Sequence, residues 1–137
     1  MRSTQVELVI NLNDWFIELV DRLNCRHDTR AYISSVLTQY KSSEDDLSKI
    51  SIVLAYAEAK KQSNFVNYKK IGDWVLWVSS THPQFFDNRE LVQTIGQLSY
   101  NACNKLLRGS WPLYEELADN LPVITRHVNK EFLRLSK

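Results

Sequence analysis

Hydrophobic residues recur along most of this chain at spacings of three and four, which place side chains on one face of an α-helix. Three glycines and three prolines are spread over 137 residues, a content that favours a few helices over many short strands. We therefore predict about six helices, each opened by residues that suit a helix N-terminus. The predicted starts are Ser3 or Thr4, Asp28, Ser43 with Asp46, Asn64, Asp87 with Glu90, and Ser110 with Pro112.

The positions expected to face the core follow the same spacing. Residues 50–54 could alone form a strand, but the alanine-rich continuation favours a helix there. We expect the first helix to end near Leu23, the fourth before Pro83 and the fifth at Gly109, and Pro122 to kink or split the last. The inward positions are Leu8, Leu12, Trp15, Leu19 and Leu23; Tyr32 or Ile33, Val36, Leu37 and Tyr40; Leu47, Ile50, Leu54, Ala57 and Lys61; Leu91, Ile95, Leu98, Ala102 and Leu106; and Leu113, Leu117, Leu121, Ile124, Val128, Phe132 and Leu135.

The fourth predicted helix contains an apolar segment, residues 71–78, that is hydrophobic on nearly every side. A helix of this kind belongs in a core or in an interface. The segment includes one carboxylate, Asp73, which is costly to desolvate unless it is paired. Asp73 is either an acid with a perturbed pKa at a functional site or one partner of a structural ion pair or hydrogen bond. Because no second acid or histidine lies near it, we favour pairing with Lys69, Lys70 or a neighbouring helix.

The composition is that of a globular protein and predicts one all-α domain spanning residues 1–137. Hydrophobic residues make up 44% and charged residues 24%, close to the globular average. The 17 Lys and Arg nearly balance the 16 Asp and Glu, so the basic excess of a dedicated nucleic-acid binder is lacking. No apolar run approaches the ~18 residues of a membrane span, and the N-terminus lacks a secretory signal, so we expect a cytoplasmic protein.

No group of residues in the sequence predicts catalysis, a metal or a cofactor. Cys25 and Cys103 are far apart and are expected to remain free thiols. His27, His82 and His127 have no partners at the spacing of metal ligands. Neither a phosphate-binding loop nor a nucleophile elbow occurs. We therefore expect neither an enzyme nor a protein that binds a metal, a cofactor or a small-molecule substrate.

Residues 91–99 allow two interpretations. Gly96 and Ser99 resemble the turn of a helix-turn-helix motif, but their spacing is one residue too long and the residues that follow lack a basic cluster. The alternative is one uninterrupted helix whose small residues let another helix approach closely. We favour the uninterrupted helix.

A basic stripe runs along the last predicted helix at spacings of four, four and three. Its members are Arg126, Lys130, Arg134 and Lys137. The stripe could bind a phosphate backbone or an acidic partner, or it could simply be solvated. It could also pair with an acidic stripe on the first helix, which consists of Asp14, Glu18 and Asp21. All three interpretations stay open at this point.

Three tryptophans are candidates for contact with another protein. Trp111 stands beside Pro112 at a helix start, where partial exposure is expected and where aromatic residues often anchor interfaces. The alternative for Trp111 is a lid over the core. Trp74 and Trp77 lie in the apolar segment and would contact a partner if that segment formed an interface.

Residues 65–121 are similar in the order of their features to small all-helical proteins of unassigned function that bacterial and phage genomes encode. In that group, a helix with Gly-Asp and large apolar residues ends at a turn with proline, and a helix with glycine and a downstream aromatic residue follows. The corresponding features here are Gly72-Asp73, Pro83, Gly96 and Tyr100, followed by a short helix from Leu113 to Ala118. The chain departs from the group before the turn, where it has Thr81-His82. The resemblance implies a helical fold and transfers no catalytic residue.

These features together favour a non-enzymatic interaction or assembly protein that acts through self-association or a protein partner. The resemblance points to a phage structural or accessory subunit, which would be found in the virion once assembled. Two alternatives remain, namely a nucleic-acid-binding regulator that uses the basic stripe and a small inhibitor of a host defence enzyme. We expect no association with a membrane.

Overall fold

The structure is a computed structural model that describes residues 14–42 and 51–135. The protein is an all-α bundle, which confirms the predicted fold class. Those two ranges contain six α-helices and no strand. The helices are α1 over 14–20, α2 over His27–Ser42, α3 over Ile52–Gln62, α4 over Phe65–Thr81, α5 over Arg89–Leu106 and α6 over Pro112–Leu135, and a 3-10 turn covers Pro83–Phe85. None of these helices is both long and apolar enough to cross a membrane.

Helix α4 lies at the centre of the bundle and packs against α2, α3, α5 and α6. Every residue from Ile71 to Thr81 is buried, so the apolar segment is core. Only 6% of Trp74 and 5% of Trp77 is exposed. The suggestion that these two tryptophans contact a partner is therefore corrected, because neighbouring helices already cover them.

The predicted start and end of α4 and the predicted start of α6 are confirmed, and two other starts need correction. Asn64 caps α4, because its Oδ1 accepts hydrogen bonds from the backbone N–H groups of residues 66 and 67 at 2.9 and 3.3 Å. Helix α4 ends at Thr81, before Pro83, and α6 begins at Pro112. Helix α5 is capped by Asn88 instead of Asp87, since the Asn88 Oδ1 accepts from the N–H of residue 91 at 3.0 Å. Helix α2 begins at His27, which places the predicted cap Asp28 inside its first turn.

Helix α3 is capped by Ser51, whose Oγ accepts from the backbone N–H of Leu54 at 3.4 Å. The predicted cap at Ser43 and Asp46 lies outside the described residues. The inward face predicted for this helix is wrong, because Leu54 is 70% exposed and both Ala57 and Lys61 are exposed. The side that faces the bundle instead consists of Ile52, Ala55, Tyr56 and Ala59.

Most other predicted core positions are confirmed. Buried ones include Leu19, Leu23, Ile33, Val36, Leu37, Ile95, Leu113, Leu117, Leu121, Ile124 and Val128, and Trp15, Tyr32, Tyr40, Ala102 and Phe132 are partly buried against them. Leu8, Leu12, Leu47, Ile50 and the side chain of Leu135 lie outside the described residues.

The inward face of α5 is displaced from the predicted one. Leu91, Leu98 and Leu106 were expected inside, yet each is 44% exposed. The residues of α5 that are buried are Val92, Ile95, Gly96, Ser99, Tyr100 and Cys103. Small and polar side chains occupy much of this buried face, so a count of large apolar residues selects the wrong side of the helix.

Gly96 holds α5 close to two neighbouring helices. A Cβ at this position would lie 2.7 Å from side-chain atoms of both Val75 in α4 and Leu121 in α6. Helix α5 is continuous through residues 91–99, which confirms the uninterrupted helix and excludes the helix-turn-helix interpretation. Helix α5 ends at Leu106, before the predicted stop at Gly109, because the chain already turns left-handed at Arg108, with a φ of +55°, and Gly109 follows with a φ of +68°.

Helix α6 is not split at Pro122 and continues from Pro112 to Leu135. Proline has no N–H, so the carbonyl of Ala118, four residues earlier, loses its usual donor. The side chain of Gln97 in α5 replaces that donor, because its Nε2 donates to the Ala118 carbonyl at 2.9 Å. A side chain of one helix thus repairs a gap in the backbone hydrogen bonding of another.

Candidate functional site

The strongest concentration of polar chemistry surrounds Asp73, which is 4% exposed. Its Oδ1 accepts hydrogen bonds from the hydroxyl groups of Tyr32 at 2.6 Å and Tyr100 at 2.7 Å. Its Oδ2 accepts from the Lys69 Nζ at 2.8 Å, an ion pair one helical turn away. The carboxylate therefore joins α2, α4 and α5, and its pairing with Lys69 matches the structural interpretation of the sequence.

Two residues allow the tyrosine side chains to pack around Asp73. Gly72 leaves space for Tyr100, because a Cβ at residue 72 would lie 2.7–2.9 Å from carbon atoms of the Tyr100 ring. Tyr114 of α6 packs against the other two tyrosines, with ring centroids 5.7 Å from Tyr32 and 6.0 Å from Tyr100. The group of Tyr32, Lys69, Asp73, Tyr100 and Tyr114, which we call the Asp73 cluster, thus draws on four helices.

The electrostatics favour neutral tyrosines and a charged Lys69 at neutral pH. Burial, and then the nearby charge of Asp73, raise the pKa of both tyrosine hydroxyl groups that bond to the carboxylate. Burial alone would lower the pKa of Lys69, but its hydrogen bond to Asp73 and the charge of that carboxylate outweigh burial, so the pKa is raised. The tyrosines consequently stay neutral donors while Lys69 stays charged.

Cys103 lies beside the cluster as a buried free thiol, and its Sγ donates to the Phe65 carbonyl at 3.9 Å. Burial, followed by the charge of Asp73, raises its pKa to about 12. A thiol with so high a pKa is protonated at neutral pH and is therefore a poor nucleophile. Cys25 is also a free thiol, so the expectation for both cysteines is confirmed.

Trp111 covers the outer edge of the Asp73 cluster. Its ring stands edge-on to Tyr114 at 5.6 Å, and its Nε1 donates to the Asp28 Oδ2 at 3.1 Å. The side chain is nevertheless 41% exposed. Trp111 is therefore both a lid and partly exposed, as the two interpretations of the sequence proposed separately. Its inner face covers the cluster, and its outer face contacts solvent.

The basic stripe divides into paired and solvated members. The Arg134 Nη2 lies 2.8 Å from the Glu131 Oε1, and the hydrogen bond to Glu131 together with the charges of Glu131 and Glu18 raises the pKa of Arg134. Arg126 and Lys130 are exposed to solvent, and Lys137 lies outside the described residues. The ion pair of Arg134 is therefore formed within α6 itself.

A second candidate is a leucine stripe on the outer side of α5, consisting of Leu91, Leu98 and Leu106. Leu98 follows Leu91 by seven residues and Leu106 follows Leu98 by eight, so the three lie on one side of the helix. Exposed polar side chains border the stripe, namely Glu90 and Thr94 near one end and Lys105 near the other. The sequence pattern identified these leucines but assigned them to the core.

A third feature is an open groove of about 330 Å³ between α3 and α4. Its lining is mainly apolar, with Glu58, Asn67 and Lys70 as the polar members among Ile52, Ala55, Ala59, Ile71 and Trp74. The described residues hold no group of three or more His, Cys, Asp or Glu side chains that could bind a metal.

The fold and these features define the chain as an all-α bundle with an internal Asp–Tyr–Lys network and an apolar stripe on its surface. Searches against protein-family models, curated proteins and solved structures found no match.

Proposed function

We propose that this protein is a non-enzymatic interaction or assembly protein that acts through self-association or through a protein partner. The observation that carries the proposal is the leucine stripe of α5, three leucines each 44% exposed on one side of a helix. Aligned apolar side chains bordered by polar ones are typical of a surface that another protein covers.

The energy available from this surface is appreciable. Complete burial of one leucine is worth about 1.5–3 kcal/mol, so covering the exposed parts of the three contributes on the order of 2–4 kcal/mol before the costs of association. Trp111 adds an exposed aromatic face elsewhere on the surface.

The Asp73 cluster supports the non-enzymatic part of the proposal. Both oxygens of the carboxylate accept hydrogen bonds from side chains of the cluster, at distances between 2.6 and 2.8 Å. A general base must come within hydrogen-bond reach of the proton of a substrate, and only 4% of Asp73 is exposed. In this arrangement the carboxylate serves to hold helices together.

The more specific role follows from the resemblance of residues 65–121 to small bacterial and phage proteins. On that ground we propose a structural or accessory subunit of a phage, found in the cytoplasm before assembly and in the virion afterwards. Nucleic-acid binding receives less support, because Arg134 in the basic stripe is already paired with Glu131.

Light scattering coupled to size exclusion, applied to the full chain over a hundredfold range of concentration, tests the proposal. We expect a molar mass that rises with concentration, or a protein that copurifies in fixed ratio. A strict monomer that binds no protein would contradict the proposal.

A further inference from the structure

We propose that the leucine stripe binds the same stripe of a second copy of this chain, with the two α5 helices antiparallel about a two-fold axis near Leu98. This inference rests on the proposed function, because it specifies the partner. A two-fold interface uses the same patch on both copies, so the patch must be complementary to itself. The exposed side of α5 has that property.

The apolar residues lie at nearly equal distances on either side of the proposed axis, to within one residue. Leu91 precedes Leu98 by seven residues and Leu106 follows it by eight. In an antiparallel pair, Leu91 of one copy therefore faces Leu106 of the other, and the two Leu98 side chains meet at the centre. Leucines therefore contribute to the contact at its centre and near both ends.

The charges of Glu90 and Lys105 favour antiparallel packing of two α5 helices and favour a second copy as the partner. Glu90 and Lys105 are exposed at opposite ends of the same side of α5, and neither forms an ion pair with another described residue. Antiparallel packing places Glu90 of each copy opposite Lys105 of the other. Parallel packing would place like charges together, which is unfavourable. Between the charged ends lie the short polar side chains of Thr94 and Asn101.

The rear of α5 is fixed, so the stripe is presented on a rigid element. Gly96 lies against α4 and α6, Gln97 donates to Ala118, and Tyr100 donates to Asp73. A surface that is already ordered loses little conformational entropy on binding. One pair of helices buries less than the ~800 Å² per partner of a standard interface, so we expect a dimer whose population depends on concentration.

The first test compares Leu98→Glu with the wild type by sedimentation or light scattering of the full chain across a range of concentration. Two carboxylates would meet at the axis, and we expect the dimer dissociation constant to rise at least tenfold. Val123→Glu is the matched control, because Val123 is 56% exposed on α6 and lies outside the stripe. Unchanged circular dichroism in both variants would show that each still folds.

The second test exchanges the two charges. Glu90→Lys and Lys105→Glu should each weaken the dimer, since each puts like charges opposite one another, and the double variant should restore it. An effect through the helix dipole predicts a different result. Each reversal places an unfavourable charge at an end of α5, so the fold of the double variant would be the least stable of the three and its dimer would not be restored. Restoration of the dimer therefore reports pairing between copies.

Each remaining outcome has a defined meaning. If the wild type self-associates and none of these α5 variants changes that association, another surface is used, and this inference is overturned while the proposed function stands. The same holds if the wild type is a monomer and Leu98→Glu abolishes binding to a different protein. A monomer without any protein partner overturns both.

Discussion

At the scale of single residues, the structure depends on a few polar groups placed among apolar ones. Asp73 would be costly in the core by itself, yet three donors from three helices surround it. Gly72 is needed because Tyr100 lies where a side chain would be. The burial of Asp73 and its pairing with Lys69 could be predicted from the sequence, because both residues lie on one helix. The tyrosine donors could not, because their contacts depend on how α2 and α5 pack.

Removing the cation should destabilise the protein more than removing an adjacent one. Lys69→Met leaves the Asp73 carboxylate buried with only the two tyrosine donors, and Lys70→Met changes an exposed neighbour. We expect Lys69→Met to lower the free energy of unfolding by about 1–3 kcal/mol. This loss is below the range for a fully buried pair, because the Lys69 side chain is itself 36% exposed. Lys70→Met should change the free energy of unfolding by about zero. Urea denaturation at pH 7 measures both values. Equal effects would mean that the ion pair contributes nothing specific.

Cys103 should make the stability depend on pH in the alkaline range. Its pKa rises from 9.0 to about 12 on folding, so the unfolded chain loses this proton first. The stabilising contribution is complete below pH 9.0 and is lost as the pH rises towards 12, at a slope of at most about 1.4 kcal/mol per pH unit.

Between pH 9 and 10 the free energy of unfolding of Cys103→Ala should therefore fall less steeply than that of the wild type, measured in urea with a reducing agent present. The constant cost of the cavity left by the substitution does not alter this slope. Parallel curves would show that the thiol titrates alike in both states.

At the scale of the helices, local signals and tertiary packing contribute differently. The cap at Asn64, the stop before Pro83 and the start at Pro112 depend on neighbouring residues, so the sequence predicts them. The face that α5 buries depends on which helices surround it. Gly96 and Tyr100 belong to that face because they fit against α4 and α6, whereas the larger leucines remain outside. The hydrophobicity of the residues alone therefore does not predict which face of α5 is buried.

Gln97 and Pro122 should be energetically coupled. Gln97→Leu leaves the Ala118 carbonyl without its donor, and we expect a loss of about 1–2 kcal/mol. In a Pro122→Ala background, residue 122 supplies an N–H to that carbonyl, and the same Gln97→Leu change should cost clearly less. A double-mutant cycle from urea denaturation gives the coupling energy. An identical cost in both backgrounds would contradict the role assigned to Gln97.

At the scale of the whole molecule, the apolar residues fall into two groups with different tasks. The segment around Leu76, which is fully buried, forms the centre of the bundle, whereas the leucine stripe lies on its surface. Leu76→Ala should therefore destabilise the fold by about 2–5 kcal/mol, because it leaves a cavity in the core. Thermal or urea denaturation checks this value, and a stability equal to that of the wild type would contradict the placement of α4 at the centre.

The most direct test of the central claim is a disulfide cross-link at residue 98. If two copies pack antiparallel about an axis at that position, the introduced thiols of Leu98→Cys lie close enough to bond. We predict a covalent dimer on mild oxidation, in a Cys25→Ser background that removes the more exposed native thiol, and no dimer for Val123→Cys treated identically. A monomer from Leu98→Cys, or equal dimer yields from the two variants, would contradict the account.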